Sequence, residues 1–207
     1  RTAAVTGGER AARSGPWGPR AISETIVIER DLRWLELTGG RYHVSQISCE
    51  ASVDIIRRAK TRGLPVTCGV SAAHLQLNEN DVQSYRTFFK LSPPLRAEQD
   101  RLALVAGLAD GTIDVIVSSH DPQDPEVKRR PFAEANFGAI GLETLLPAGL
   151  SLVHNGDLPP ARLLAALTSL PSALPALVPA RLAPPPPPAP APSAPATPLP
   201  PPPPHPL

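Results

Sequence analysis

A short run of β-branched residues near the middle of the chain sets the expected fold class. Ile113, Val115, Ile116 and Val117 follow an Asp-Gly turn, and the run ends abruptly at the polar residues 118–121. A run this short and apolar is typical of a strand buried on both faces, as in parallel sheets. In parallel α/β folds, ligands bind at the carboxyl ends of such strands. Residues 118–121 are therefore either candidate functional residues or a polar loop in which the strand stops.

Helical and strand-like segments alternate along residues 21–170. Apolar spacing and turn residues predict helices over Ala21–Thr38, Glu50–Arg62, Ala97–Leu108, Gly141–His154 and Pro159–Leu170, and strands over Tyr42–Ile47, Leu64–Val70 and around Ile113. The first helix is read from Ile22, Ile26 and Leu32, and Leu102 is expected to face inward from the third. The alternation predicts parallel strands with right-handed crossovers. A closed eight-stranded barrel takes about 250 residues, so we expect an α/β fold that is part of a (β/α)8 TIM-type barrel or a small open sheet.

Proline separates a folded part from a tail. Of the 29 prolines, 18 lie between Pro171 and Leu207, with unbroken runs at 184–188 and 200–204. This composition favours polyproline II and cannot build a packed core, so residues 171–207 are predicted to be disordered; a ligand for aromatic-grooved domains is the alternative. Residues 1–20 are predicted to be an irregular lead-in. Because the chain starts at Arg1 and has no methionine, we expect a piece of a longer product.

Charge and cysteine content argue against several classes of protein. The 20 basic and 19 acidic residues give a net charge of +1, so no nucleic-acid partner is expected. Cys49 and Cys68 are too few for a disulfide scaffold and fit a reducing compartment. No apolar run is long enough to span a bilayer and no signal peptide opens the chain, so we expect no membrane partner and a cytoplasmic location.

Three histidines lie in or just after the predicted strands. His43 falls within the first strand, His74 follows the second, and His120 follows the third. Imidazoles that meet at one edge of a parallel sheet could bind zinc, for which histidine is a common ligand. The alternative is that each histidine is an ordinary polar residue with its own partners.

Five segments occur in the order and spacing found in the dihydroorotases. They are Arg41–Ser48, Gly63–Glu79, Phe89–Leu104, Asp110–Asp124 and Phe137–Pro147. Over about residues 20–170 the chain resembles the carboxyl-terminal half of the long-chain bacterial dihydroorotases, which belong to the amidohydrolase superfamily. The resemblance implies a (β/α)8 barrel with zinc at the carboxyl ends of its strands. It also implies the substrate dihydroorotate, which these enzymes hydrolyse reversibly to carbamoyl-aspartate in pyrimidine biosynthesis. In such a site zinc polarises the amide carbonyl and activates water, and an Asp transfers the proton to the leaving nitrogen.

The sequence departs from the family at the metal positions. Gln46 stands where the family has a zinc-binding His, and Ser119 stands where it has the catalytic Asp that is both ligand and proton shuttle. Gly69, Ala72 and Ala73 replace an acid and a Pro-His pair. The other family ligands would lie upstream of the first residue. We therefore expect zinc by family resemblance only, with no catalytic zinc bound and no hydrolysis by the 207-residue chain.

The substrate-binding positions of the family are better kept. Ser92 corresponds to the Asn before Pro-Pro-Leu-Arg, and Gln123, Phe137 and Gly138 match substrate-contacting positions. Three interpretations follow from this mixture. The chain is a dihydroorotase fragment with a degenerate metal site, a non-catalytic dihydroorotase-like structural partner of aspartate carbamoyltransferase, or a decayed fragment that does not fold stably.

Overall fold

A computed structural model describes residues 20–82 and 85–174. Residues 1–19 of the predicted lead-in and residues 175–207 of the predicted disordered tail lie outside the described residues, whereas residues 171–173 of that tail belong to a short helix. In chain order the helices and strands are α1 (Ala21–Thr38), β1 (Tyr42–Val44), α2 (Glu50–Thr61), β2 (Val66–Ser71), α3 (Ala72–Gln76), α4 (Glu98–Ala109), β3 (Val115–Val117), α5 (Pro125–Lys128), α6 (Leu145–His154), α7 (Pro160–Leu167) and α8 (Ser169–Ala173). Two 3₁₀ turns, Glu79–Val82 and Thr87–Phe89, lie between α3 and α4.

The three strands form one parallel sheet with the order β1-β2-β3. Tyr42 pairs with Val66, and Gly69 pairs with Val115. The central strand β2 is buried along nearly its whole length, as a parallel strand covered on both faces should be. The prediction of parallel strands alternating with helices is confirmed. Three such strands are common to a partial barrel and to a small open sheet.

One apolar core joins the helices to the sheet. Its members are fully or almost fully buried side chains from most of the helices and strands, including Ile28, Leu32, Val53, Ile56, Val70, Leu104, Leu108, Leu152 and Leu163. Burying one such side chain contributes about 1.5–3 kcal/mol. Among the described residues, no helix is both long enough and apolar enough to cross a membrane.

Two predicted core faces are wrong in part. Helix α1 buries Ile28, Leu32 and Leu35, whereas Ile22 and Ile26 are exposed. Both sides of this helix carry apolar residues at helical spacing, so the sequence pattern fits either face. In α4, Leu102 is 54 % exposed, because the helix packs through Leu104, Val105 and Leu108 instead.

Three predicted element boundaries also need correction. The first strand ends at Val44, not at Ile47. The helix expected from Gly141 begins at Leu145, after a turn at residues 142–144 in which the backbone N–H groups of Gly141 and Leu142 donate to the His120 imidazole. The helix expected over Pro159–Leu170 is two helices, because Thr168 leaves helical backbone geometry at φ −131°.

A buried polar network fixes the start of α2 at the carboxyl end of β1. The carboxylate of Glu24, on α1, accepts from Ser48 N (2.8 Å) and from Ser52 Oγ (2.6 Å). Arg96 is almost fully buried, lies 3.5 Å from the Glu24 carboxylate and donates from Nε to Ser48 Oγ (3.0 Å). The amide of Glu50, the first residue of α2, donates to Asp100 Oδ1 at 2.9 Å, so one N–H group without an intrahelical partner is satisfied by a carboxylate. The network therefore holds the loop after β1, which contains Gln46, in a fixed place.

Candidate functional site

The loops after β1 and β3 bring Gln46 and Ser119 into contact. Gln46 Nε2 lies 3.1 Å from Ser119 Oγ, and Ser119 Oγ lies 3.3 Å from Gln46 Oε1, although 73 residues separate them. Each residue lies two positions beyond the end of its strand. Ser119 adopts φ +50°, a left-handed conformation that costs a non-glycine residue roughly 1–2 kcal/mol. The carboxyl edge of the sheet thus joins the two positions that the family resemblance assigns to metal ligands.

A cavity of about 470 Å³ opens beside this pair. Its polar lining includes Ser71, Gln76, Ser119, Gln123, Lys128 and Thr144. Much of the remaining wall is apolar and comes from Phe88, Phe89, Leu77, Leu91 and Pro147. No acidic side chain is among the described residues that line the cavity. Its size and its mixture of apolar walls and few polar groups are typical of a small-molecule site.

The three histidines do not come together. His43 Nδ1 lies 2.8 Å from Thr67 Oγ1, and His120 Nδ1 accepts from Gly141 N at 3.1 Å. His74 is buried, and its Nε2 lies 3.1–3.2 Å from the carbonyls of Pro93 and Pro94, so that nitrogen carries the proton. Within residues 20–82 and 85–174, no group of three His, Cys, Asp or Glu side chains is placed to hold a metal ion. Each histidine thus has hydrogen-bond partners of its own, and the three imidazoles do not share a site among the described residues.

The residues at the family's metal positions do not fit a catalytic zinc. Such a site needs about three protein ligands, usually imidazole, thiolate or carboxylate, and an open position for water. Gln46 offers a neutral amide and Ser119 a neutral hydroxyl, and each already hydrogen bonds to the other. Neither group can balance the charge of a divalent cation, so the described residues supply no metal centre at this edge.

The predicted substrate-binding residues are spread over different surroundings. Gln123 lines the cavity with Ser119, and its Nε2 donates to Asp121 Oδ1 at 2.8 Å. Gly138 adopts φ +110°, and a Cβ there would collide with the Asp121 carboxylate. Phe137 lies beneath the Lys90 ammonium, with 4.8 Å from Nζ to the ring centre.

Ser92 lies apart from the other predicted substrate-binding residues. It is exposed, precedes a cis peptide bond to Pro93, and is not part of the cavity lining. The structure therefore places only Gln123 of the four beside Ser119.

Two buried lysines that the sequence reasoning missed, Lys90 and Lys128, cross-link the segments around residues 87–90 and 128–136, and Lys128 also lines the cavity. Lys90 is 2 % exposed, and its Nζ donates to the carbonyls of Phe132 (2.8 Å), Ala133 (3.1 Å) and Ala135 (2.6 Å). Lys128 Nζ donates across the same junction to Thr87 O (3.1 Å) and to Asn136 O (2.8 Å). Burial lowers the pKa of both ammonium groups. The apolar context of Lys90, between Phe89 and Leu91, was the sequence signal that could have revealed it.

Over its matched residues the chain is similar to a curated dihydroorotase and to a solved hydantoinase. No protein-family model matches the chain. The chain is 45% identical over 163 residues to the dihydroorotase of Anaplasma phagocytophilum (strain HZ), a match that covers 78% of this chain and 36% of that protein. Among solved structures, the L-hydantoinase (dihydropyrimidinase) from Arthrobacter aurescens gives a TM-score of 0.68 at 30% identity, over 71% of this chain and 34% of that one.

A second solved structure shares the fold. The inactive dihydroorotase-like domain of a CAD-like multifunctional protein from Chaetomium thermophilum gives a TM-score of 0.56 at 23% identity, over 73% of this chain and 41% of that one. The resemblance predicted from the five sequence segments is confirmed over the matched residues. The chain spans about one third of the length of the curated relative.

Proposed function

We propose that this chain, which matches about one third of a dihydroorotase, carries part of a dihydroorotase-like site for cyclic amides. In this site, other residues stand at the family's metal-ligand positions. The observation that carries the proposal is the hydrogen-bonded pair of Gln46 and Ser119 at the carboxyl ends of β1 and β3. The fold shared with the L-hydantoinase and the parallel sheet support a partial (β/α)8 barrel. The substrate class is a small cyclic amide, with dihydroorotate as the family's example.

The Gln46–Ser119 pair lacks the chemistry that amide hydrolysis needs. A serine hydroxyl attacks an amide only when a base within hydrogen-bonding reach removes its proton. Ser119 Oγ instead bonds to the Gln46 amide, which is neither an acid nor a base near neutral pH. We therefore propose that this chain by itself binds the ring without cleaving it.

The cavity lining suits a ligand that presents an amide edge. One N–H of Gln76 donates to Ala148 O and one N–H of Gln123 donates to Asp121 Oδ1, which leaves the second N–H and a carbonyl lone pair of each amide for a ligand at the cavity wall. A cyclic amide carries the complementary N–H donor and C=O acceptor, so one side-chain amide can pair with both. The apolar walls contributed by Phe89 and Leu91 can cover the faces of the ring.

Calorimetry and a turnover assay on the 207-residue chain test this proposal. We expect measurable dihydroorotate binding that weakens at least tenfold in Gln123→Leu, no stoichiometric zinc, and no carbamoyl-aspartate turnover at saturating zinc. Gln99→Leu is the matched control, because Gln99 is exposed on α4 and is not part of the cavity lining. The proposal is wrong if the folded chain shows no binding, or if it turns over substrate and loses that activity in His43→Ala or His120→Ala.

A second candidate function follows from the same substitutions. A dihydroorotase-like chain without metal ligands can persist as a structural partner, and aspartate carbamoyltransferase is the partner we propose for this case. The fold shared with an inactive dihydroorotase-like domain is compatible with such a role. Co-purification of the chain with aspartate carbamoyltransferase, without any dihydroorotate binding, would favour this candidate over the first.

A further inference from the structure

Lys128 brings a buried positive charge to the cavity wall. This residue ends the short helix α5, is 7 % exposed and is among the residues that line the cavity. Its Nζ donates to Thr87 O at 3.1 Å and to Asn136 O at 2.8 Å. Because an ammonium group has three N–H donors, one N–H of Lys128 has no acceptor among the described residues.

The charge of Lys128 is not balanced by an ion pair within the part of the chain that the structure describes. Burial lowers the pKa of Lys128, the Asp121 carboxylate opposes this effect, and the Lys90 ammonium adds to it. The Asp121 carboxylate accepts from Gln123 Nε2 at 2.8 Å and pairs with neither lysine. Two buried ammonium groups therefore leave an excess of positive charge beside the cavity, and a buried charge without a partner is costly.

The other polar groups of the cavity lining are uncharged. They are the amides and hydroxyls of Ser71, Gln76, Ser119, Gln123 and Thr144. No acidic side chain is among the described lining residues, so the wall holds no carboxylate that would repel an anion at Lys128. The neutral groups suit the uncharged part of the same ligand. The lining therefore matches a ligand that carries one anionic group on a neutral polar ring.

We propose that Lys128 determines the specificity of this cavity, because its third N–H binds the carboxylate of an anionic cyclic amide and so favours that ligand over a neutral one. The proposal rests on the proposed function, which supplies the ring, and it adds the residue that recognises the acid. Hydrogen bonds between an ammonium and a carboxylate are about twice as strong as those between neutral groups. The family resemblance assigned no role to Lys128.

A matched pair of ligands tests the preference for an anion. Calorimetry compares dihydroorotate with its primary carboxamide, in which a neutral amide of similar shape replaces the carboxylate. We expect the 207-residue chain to bind dihydroorotate more tightly by about tenfold or more, the usual effect of a hydrogen bond to a charged group. This comparison uses the unaltered chain, so it does not depend on whether a variant folds. Equal affinities for the two ligands overturn the proposal.

Two variants assign the preference to one side chain. Lys128→Met should bring the affinities for the acid and the carboxamide to the same value. Arg129→Met is the matched control, because it removes the next positive charge along the chain, which is exposed and pairs with Glu126. This control should keep the preference. Far-UV circular dichroism checks that each variant is folded. A preference that persists in folded Lys128→Met, or that Arg129→Met removes as well, contradicts the assignment.

Succinate separates this proposal from the proposed function, because it carries carboxylates but no ring. If the folded chain binds neither cyclic ligand, the proposed function is wrong, and succinate then decides whether the anion site exists. In that case we expect saturable changes of the backbone amide chemical shifts at residues 87, 128 and 136 in the parent chain, and none in Lys128→Met. Unchanged shifts in the parent chain would overturn this proposal together with the proposed function.

Discussion

Gly138→Ala should destabilise the protein far more than Gly63→Ala, although both glycines have positive φ. Gly138 has φ +110° and Gly63 has φ +79°. A methyl group at Gly63 meets nothing within 4 Å, whereas at Gly138 it would lie 2.6 Å from Asp121 O and would also collide with the Asp121 carboxylate. Gly63→Ala therefore carries only the backbone strain, about 1–2 kcal/mol. Gly138→Ala adds an overpacking cost of about 1–3 kcal/mol, for a total of about 2–5 kcal/mol.

Urea denaturation of the two variants and the parent measures this difference. We expect the free energy of unfolding to fall by at least 1 kcal/mol more for Gly138→Ala, with unchanged dependence on urea concentration. Because the Asp121 carboxylate that a methyl group would displace also accepts from Gln123 in the cavity wall, the variant should weaken dihydroorotate binding as well. Equal losses of stability in the two variants would show that the loop around Asp121 yields freely, and would refute the reasoning.

Three further predictions concern the lysines, the histidines and the substituted metal positions. Lys90→Met should lower the free energy of unfolding by about 2–4 kcal/mol in urea denaturation. The reason is that the buried Ala135 carbonyl loses its hydrogen-bond donor and the rings of Phe132 and Phe137 lose a cation–π contact. Burial lowers the pKa of His74, whose Nδ1 has no described hydrogen-bond partner, so as pH falls below about 6.5 the unfolded state gains a proton before the folded state does. Unfolding by urea should thus become easier from about pH 7 to about pH 5.5, and less steeply so in His74→Gln. Gln46→His combined with Ser119→Asp should restore no dihydroorotate turnover, because two ligands are fewer than zinc catalysis needs.

The strand–helix alternation was predictable because it depends on local spacing, but the packed faces were not. The strand predicted around Ile113 follows from a short β-branched run bounded by turn residues, and the structure places it at Val115–Val117. The face of α1 could not be chosen in the same way, because Ile22 and Ile26 fit a helical stripe as well as Ile28 and Leu32 do. The choice depends on β1 and α2, which meet α1 only in the folded chain.

The candidate site shows the same division between local and long-range information. The family resemblance identified Gln46 and Ser119 as site positions, and in the structure their side chains are hydrogen-bonded to each other. Nothing in the sequence near Lys90 identifies its three carbonyl partners, since they lie 42–45 residues further along the chain. Ser92 was predicted from a motif, and the geometry of its loop leaves it exposed and outside the cavity lining.

The backbone of Gly69 packs against the loop that carries Gln46, one of the two substituted metal positions. A Cβ at this position would lie 2.5 Å from the Ser45 carbonyl, and Gly69 O accepts from Ile47 N at 2.9 Å. The loop that carries Gln46 therefore lies directly against a residue with no side chain. By resemblance the family has an acid there, and any larger residue must push this loop away from β2. The contact between Gln46 and Ser119 thus depends on the absence of a side chain at Gly69. The departures from the family at these three positions are therefore coupled. Reversing the two side chains alone leaves the loop in its present position.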